Sequence, residues 1–218
     1  MSVMKALCRP TPALAAVAGI IIIDPVGRLV YAGAHQVLWL QHEISLSAPP
    51  EVDVTVALPR EKVTLANLLQ LYTHDFSEFW AGGPDGELGD DGRFPYYSFL
   101  DDYWRDAGRI PLLLRIGGHV AGFALINDRS HSGLPLDRNV AEFFVVRKHR
   151  RGGAGTAAAR KIFTLYPGVW EAAVARRNTA ALAFWRKAVA GCPGVADIEE
   201  LDRSDEAWDG PILRFRVG

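Results

Sequence analysis

The sequence predicts a mixed α/β domain with a short N-terminal appendage. From residue 52 onward, strand-like runs alternate with segments whose apolar residues recur every three to four positions. A glycine-rich turn near residue 152 joins one such strand to an alanine-rich helix. With 218 residues, 49% hydrophobic and 22% charged, the chain can bury one principal core but is too short for two large domains.

Residues 1–51 read as the appendage, ending near Ala48-Pro49-Pro50, where paired prolines favour extended chain. Between Lys5 and Ile23 two basic residues precede an apolar run starting at Ala13, which is too short to span a bilayer. Asp24-Pro25 follows it where a cleaved leader would need small residues, so neither a signal peptide nor a membrane anchor is expected. A hairpin is, with Ile20–Ile23 and Leu29–Tyr31 as strands around Asp24–Arg28.

Beyond the appendage, Val52–Leu58 is an expected strand. Thr64 can cap a helix carrying Leu65, Leu68, Leu69, Tyr72 and Phe76 on one face. The Gly- and Asp-dense stretch Ala81–Gly92 is a loop, and a second helix is expected from Pro95 or Tyr96 to about Ala107, stopped by Gly108. Ile110–Ile116 and Val120–Ile126, joined by Gly117-Gly118, form an antiparallel hairpin. After the polar connection Asp128–Arg138 come strand Ala141–Val146, helix Gly155–Leu165, strand Trp170–Val174, helix Thr179–Val189 and a closing strand Ile212–Val217, with Ala196–Leu201 as a candidate partner for the last. This order excludes a pure bundle or sandwich.

Composition narrows the chemistry. A net charge of −1 gives no bulk attraction for nucleic acid, whose nonspecific binding rests on clustered Lys and Arg. The two cysteines, Cys8 and Cys192, fit neither a disulfide framework nor a zinc site, so a reducing cytoplasm is the expected location. His74-Asp75 and His149 lack a third ligand at metal spacing, and no metal is expected.

The informative passage is Glu142-Phe-Phe-Val-Val-Arg-Lys-His-Arg-Arg-Gly-Gly-Ala-Gly-Thr156, a strand entering a helix through glycines. Gly152, Gly153 and Gly155 can adopt positive φ, letting successive backbone N–H groups converge on an anion. The helix N-terminus adds partial positive charge, and Arg150 and Arg151 add full charges, so a pyrophosphate is the natural ligand. No Lys-Ser/Thr follows for a P-loop, and no Gly-x-Gly-x-x-Gly is present for a dinucleotide fold. An ordinary helix-capping glycine turn is the plain alternative.

Arg150-x-x-Gly153-x-Gly155 resembles the Arg/Gln-x-x-Gly-x-Gly/Ala signature of the GNAT N-acetyltransferases, with Val145 at the matching distance ahead of it. Asn178-Thr-Ala-Ala-Leu-Ala-Phe-Trp185 resembles the later Asn-x-x-Ala-x-x-x-Tyr element. Tyr72–Glu78, Asp101–Trp104, Ala121–Ala124, Ala141–Phe144 and Phe184–Arg186 together resemble a bacterial subgroup of predicted acetyltransferases. The resemblance spans residues 52–218 and implies a GNAT-like fold, α/β with a mixed, mostly antiparallel central sheet flanked by helices. It implies acetyl-CoA as acyl donor, held by Val145, Val146, Arg150, Arg151, Gly152, Gly153, Ala154, Gly155, Thr156, Asn178 and Trp185. The acceptor is then a small-molecule or protein amine, with no nucleic-acid or membrane partner and a homodimer among the open oligomeric states.

In that reading the amine attacks the thioester directly, a backbone N–H near Val145 polarises the carbonyl, and a general base removes a proton. Glu142, the lone charge of an apolar strand, is the candidate base; a strand-end ion pair is its plain alternative. Tyr97, Asp101 and Phe144 are candidate acceptor contacts, and Asn178 also fits a simple helix cap. Two departures stand out. Trp185 replaces the tyrosine that protonates the leaving thiolate in many members, and an indole N–H cannot serve as that acid. The usual Gly-Phe after this helix is missing, which keeps open a non-catalytic CoA-binding regulatory module.

Overall fold

The computed structural model describes residues 50–80, 83 and 86–218, together with the backbone of three short strands before them. The apolar run over residues 13–19, Cys8 and part of the 81–92 loop lie outside the described residues. The chain divides into two compact units, Met1–Ser47 and Ala48–Gly218.

In the first unit, β1 (Ile20–Ile23), β2 (Leu29–Gly33) and β3 (Gln36–Leu38) form an antiparallel sheet in the order β1-β2-β3. The register pairs Ile20 with Ala32 and Tyr31 with Leu38, so the expected hairpin gains a third strand.

The second unit is built on a seven-stranded sheet: β4 (Val52–Val56), β5 (Ile110–Ile116), β6 (His119–Asn127), β7 (Arg138–Val145), β8 (Gly168–Ala173), β9 (Val195–Ser204) and β10 (Asp209–Val217). Its order is β4-β5-β6-β7-β8-β10-β9, and every neighbouring pair is antiparallel except β7 and β8. The parallel pair follows from connectivity, because β7 reaches β8 through a helical crossover. That helix is α2 (Ala154–Leu165); α1 (Lys62–Phe76) and α3 (Thr179–Ala190) are the others.

Two apolar layers cover the sheet. On one face α2 and α3 bury Phe163, Trp170, Trp185 and Phe215. On the other, α1 buries Leu65, Leu68 and Leu69 against Leu113, Phe123 and Phe144. Strand alternation along β7 divides Phe143 and Val145 from Phe144 and Val146, so this strand feeds both layers.

Before the 110–126 hairpin, the helical segments differ from the sequence expectation in two places. Thr64 lies inside α1, whose first turn continues a 3-10 turn at Pro59–Glu61; the Glu61 carboxylate accepts from the Leu58 N–H at 2.9 Å. The second helix expected over residues 95–107 is only a 3-10 turn, Asp101–Trp104. Its anchors Leu100 and Tyr103 are fully buried at a spacing of three, which a three-residue turn satisfies without the length an α-helix needs. Gln70 on α1 fixes the preceding loop, accepting from the Phe94 N–H at 2.9 Å and donating to its carbonyl at 3.1 Å.

Candidate functional site

The β7–β8 pairing holds only at Arg138 with Trp170 and Asn139 with Glu171, and the strands have no register beyond it. A wedge therefore opens beside the C-terminal half of β7. Val146 donates its N–H to Ala121 of β6 at 2.9 Å. Because backbone groups alternate along a strand, the N–H and C=O of Val145 point the other way, into the wedge. The Val145 carbonyl accepts there from Arg150 Nε at 2.6 Å.

A cavity of about 570 Å³ fills this wedge. Its floor is Phe143, Phe144 and Val145; one wall comes from the turn and first residues of α2, the opposite wall from α3, and the rim from the end of α1. The turn is wound by Arg151 (φ 65°) and Gly153 (φ 87°). The expectation that Gly152 and Gly155 also take positive φ is not met, since Arg151 supplies the second left-handed position. Gly155 serves by size, because a Cβ there would lie 3.2 Å from the Phe184 ring. Gly153 caps α2 without a side-chain hydrogen bond, so the first-turn N–H groups have no intrahelical acceptor and face the cavity mouth.

Of the eleven residues expected to hold a CoA donor, Val145, Arg150, Arg151, Gly153, Gly155, Thr156 and Asn178 line this one cavity. Four do not. The Val146 N–H is committed to β6, Ala154 is buried in the core, Gly152 lies outside the lining, and Trp185 is 6% exposed. The Trp185 indole packs 5.2 Å from the Phe143 ring and 6.3 Å from Phe163, inside the apolar layer. The one-face reading of α3 therefore needs correction: Asn178, Ala181 and Phe184 follow a spacing of three and reach the cavity, while Trp185 turns one position into the core. Asn178 is also a helix cap, its Oδ1 accepting from the Ala181 N–H at 3.0 Å.

Sequence reading missed the α1 rim. Tyr72, Asp75 and Phe76 on α1, and Phe79 in the 3-10 turn Ser77–Trp80 that follows, line the cavity at spacings of three and four, the signal that could have found them. Asp75 ties this rim to the turn: its carboxylate accepts from Arg147 at 2.6 Å and from Arg150 at 2.5 Å. Desolvation works to raise the Asp75 carboxyl, but the two guanidinium hydrogen bonds outweigh it and hold it below the usual range.

Glu142 lies just behind the floor. β7 bulges between Val140 and Glu142, and the Glu142 side chain sits on the α1 side with Phe144. Burial pushes its carboxyl up to about 7, against the opposing pull of the nearby Tyr72 and Tyr97 phenols. Glu142 is half-buried and lies outside the cavity lining, one position before Phe143 of the floor. The phenols respond in kind: burial, then the nearby Glu142 charge, drives Tyr72 and Tyr97 upward and Tyr103 to about 12.

Of the expected acceptor contacts, Phe144 lines the cavity, whereas Tyr97 lies outside the lining, near Glu142. Asp101 stands outside it, ion-paired with Lys62 and accepting from the Tyr96 phenol at 2.7 Å. Among the described residues no cluster of three His, Cys, Asp or Glu could hold a metal, and no helix is long and apolar enough to cross a membrane.

A sequence model of the acetyltransferase (GNAT) family matches residues 65–189. Among solved structures, an acetyltransferase from Thermus thermophilus is similar at TM-score 0.53 and 15% identity, covering 78% of this chain and 99% of that one. A GNAT-family acetyltransferase from Staphylococcus aureus is similar at 0.51 and 13%, covering 77% and 99%. An aminoglycoside acetyltransferase, AAC(6')-Ib, in complex with coenzyme A is similar at 0.50 and 12%, covering 77% and 95%. At these identities the likeness is one of fold. No protein of curated function matches the chain in sequence.

Proposed function

This chain belongs to the GNAT acetyltransferase family, and we propose that it transfers the acetyl group of acetyl-CoA to an amine by direct attack on the thioester. The observation that carries the reading is the convergence of the turn 150–156, the Val145 backbone and Asn178 on one cavity in the β7–β8 wedge. Three cations, Arg150, Arg151 and Lys187, line it against two carboxylates, Asp75 and Glu78, and the free N–H groups of α2 add to the positive side. A pyrophosphate fits that end. The aromatic floor and wall of Phe143, Phe184 and Phe76 suit the less polar arm of the donor.

The chain's own groups then act as follows. Val145 directs an N–H into the wedge where it can polarise the thioester carbonyl, and that donor is already fixed by the β-sheet. Binding both reactants in the wedge converts a bimolecular step into one with a high effective concentration. Glu142, pushed up to about 7, is matched to accept the amine proton near neutral pH. Tyr97, near Glu142 on the loop side, is kept in this reading as an acceptor contact.

The acceptor is a small-molecule or protein amine; AAC(6')-Ib, the neighbour solved with coenzyme A, is an aminoglycoside acetyltransferase. A second reading, a CoA-binding regulatory module, draws support from the burial of Trp185 away from the cavity. Calorimetry with coenzyme A, followed by thiol release from acetyl-CoA with pooled polyamines, aminoglycosides, amino acids and peptides, separates the two. Binding with thiol release supports the transferase, binding without release the module, and no binding removes both.

A further inference from the structure

We propose that the Arg150 side chain is a gate across the donor cavity, latched by Asp75, which the amide-bearing arm of the donor pushes aside on entering. The inference deepens the acetyl-transfer reading above and rests on it in taking a coenzyme A thioester as donor.

Among the described residues, none of the groups that hold the Arg150 guanidinium belongs to α2. Its Nε donates to the Val145 carbonyl at 2.6 Å, its Nη2 donates to the Asp75 carboxylate at 2.5 Å, and its central carbon lies 5.2 Å over the Phe144 ring. Val145 and Phe144 belong to the cavity floor and Asp75 to the rim, so the side chain crosses the wedge from β7 to α1. It thereby takes a group that the parting of β7 from β8 leaves to a ligand. A strand edge without its neighbour offers carbonyls to any extended chain that carries amide N–H groups. The pantetheine arm of coenzyme A is such a chain, and it bears no charge. Arm and guanidinium therefore compete for the Val145 carbonyl and for the face of the Phe144 ring.

The exchange strands no polar group. As the arm enters, one of its N–H groups replaces Arg150 Nε at the carbonyl. Asp75 keeps Arg147, whose Nη2 donates to it at 2.6 Å, so its charge stays paired. The Arg150 side chain is 38% exposed, enough to turn into water or toward the donor phosphates, whose charge then replaces that of Asp75. Its backbone stays where it is, with the N–H on the Arg147 carbonyl at 3.1 Å. Opening thus costs a difference between sets of hydrogen bonds and no full desolvation.

A gate and a plain phosphate ligand differ in the sign of their effect on an uncharged arm. A residue that only attracts phosphate does nothing for pantetheine, so its loss weakens coenzyme A binding and leaves pantetheine unchanged. A gate opposes the arm, so its loss strengthens pantetheine binding and narrows the preference for coenzyme A over pantetheine.

The test titrates the full chain with pantetheine, followed by NMR, and with coenzyme A, followed by calorimetry. Arg150→Met keeps the aliphatic stem and removes every donor; pantetheine should bind it about tenfold more tightly than the wild type, as expected for removing a competing charged hydrogen bond. Asp75→Asn keeps the gate and weakens its latch, and should gain in the same direction by a smaller factor; it decides the matter if Arg150→Met fails to fold. Pantetheine bound no more tightly by the folded variant than by the wild type, undetectable binding in both included, overturns the gate while coenzyme A binding leaves the donor reading standing. A wild type that binds neither pantetheine nor coenzyme A overturns the donor reading and the gate together.

Discussion

Asp75 and Arg150 are joined by a 2.5 Å ion pair inside the cavity that the α2 N-terminus faces. An acidic residue in the last turn of a helix opposes the helix dipole, so the local arrangement of α1 is unfavourable without its arginines. Asp75 is held below the ordinary carboxylate range and stays an anion throughout the neutral region. It competes there with any phosphate for Arg150. Asp75→Asn should therefore bind coenzyme A several-fold more tightly at low salt, with the gain shrinking as salt screens the site. Calorimetry at two ionic strengths measures this, and weaker binding at low salt would mean that Asp75 chiefly orients Arg150.

Gly153 takes φ 87° at the cap of α2 and lines the cavity. Gly153→Glu adds a Cβ in a strained conformation and a carboxylate where phosphate would approach, so coenzyme A binding should be lost in a protein that still folds. Unchanged affinity by calorimetry would remove the turn 150–156 from the donor site.

Glu142 with a carboxyl near 7 makes a linked prediction about rate and stability. The base works when ionised, so kcat/KM should rise with pH through about 7 and then level off. Folding shows the opposite trend: the native carboxyl is raised above its unfolded value, so its contribution is fully present below the unfolded pKa and lost as pH rises through about 7. Glu142→Gln should depress kcat across the range, yet gain stability over the parent as pH rises through that window. Wild-type kcat in Glu142→Gln would leave the substrate's own neutral amine or water as the proton acceptor.

Glu171 is fully buried on β8 and accepts from the His131 N–H at 2.8 Å, from both serines of the Ser130–Ser132 turn, and from Arg214. Arg214→Ala would leave that charge without its cation and should cost about 3–5 kcal/mol of stability, read by urea unfolding. Desolvation favours raising the Glu171 carboxyl, but these hydrogen bonds together lower it. Its contribution is therefore present above the unfolded pKa and lost as pH falls through the lower folded one. Arg214→Ala should accordingly approach the parent in stability under strongly acid conditions. The network stands at the closed end of the wedge, so wild-type coenzyme A affinity is expected in the folded variant.

A chain beginning at Val52 should fold and bind coenzyme A as the full chain does. The boundary between the compact units falls at Ser47 and Ala48, and the Val52 carbonyl is anchored by Lys161 at 3.0 Å. Size exclusion and calorimetry check this, with aggregation of the shortened chain counting against residues 1–51 as a separable segment.

The sequence by itself determined the parts that local chemistry controls. Alternation and three-to-four spacing placed the 110–126 hairpin, α2, α3 and the closing strand β10 close to their observed bounds, because each buries an apolar face over several turns or pairs. The glycine-rich turn was legible for the same reason: its residue types limit what the backbone can do there. The short segment 95–107 was not, since two buried anchors at a spacing of three fit either helix type and only packing chose the 3-10 turn. Tertiary structure alone decided that β7 and β8 part after Asn139, that Phe184 faces the cavity and Trp185 the core, and that Asp75 crosses to Arg147 and Arg150. It alone brought Tyr72, seventy positions earlier in the chain, to Glu142. The physical reason is one of range: a strand or turn is set by neighbours a few residues away, whereas a site is made where distant elements pack, and no local pattern records which face meets which.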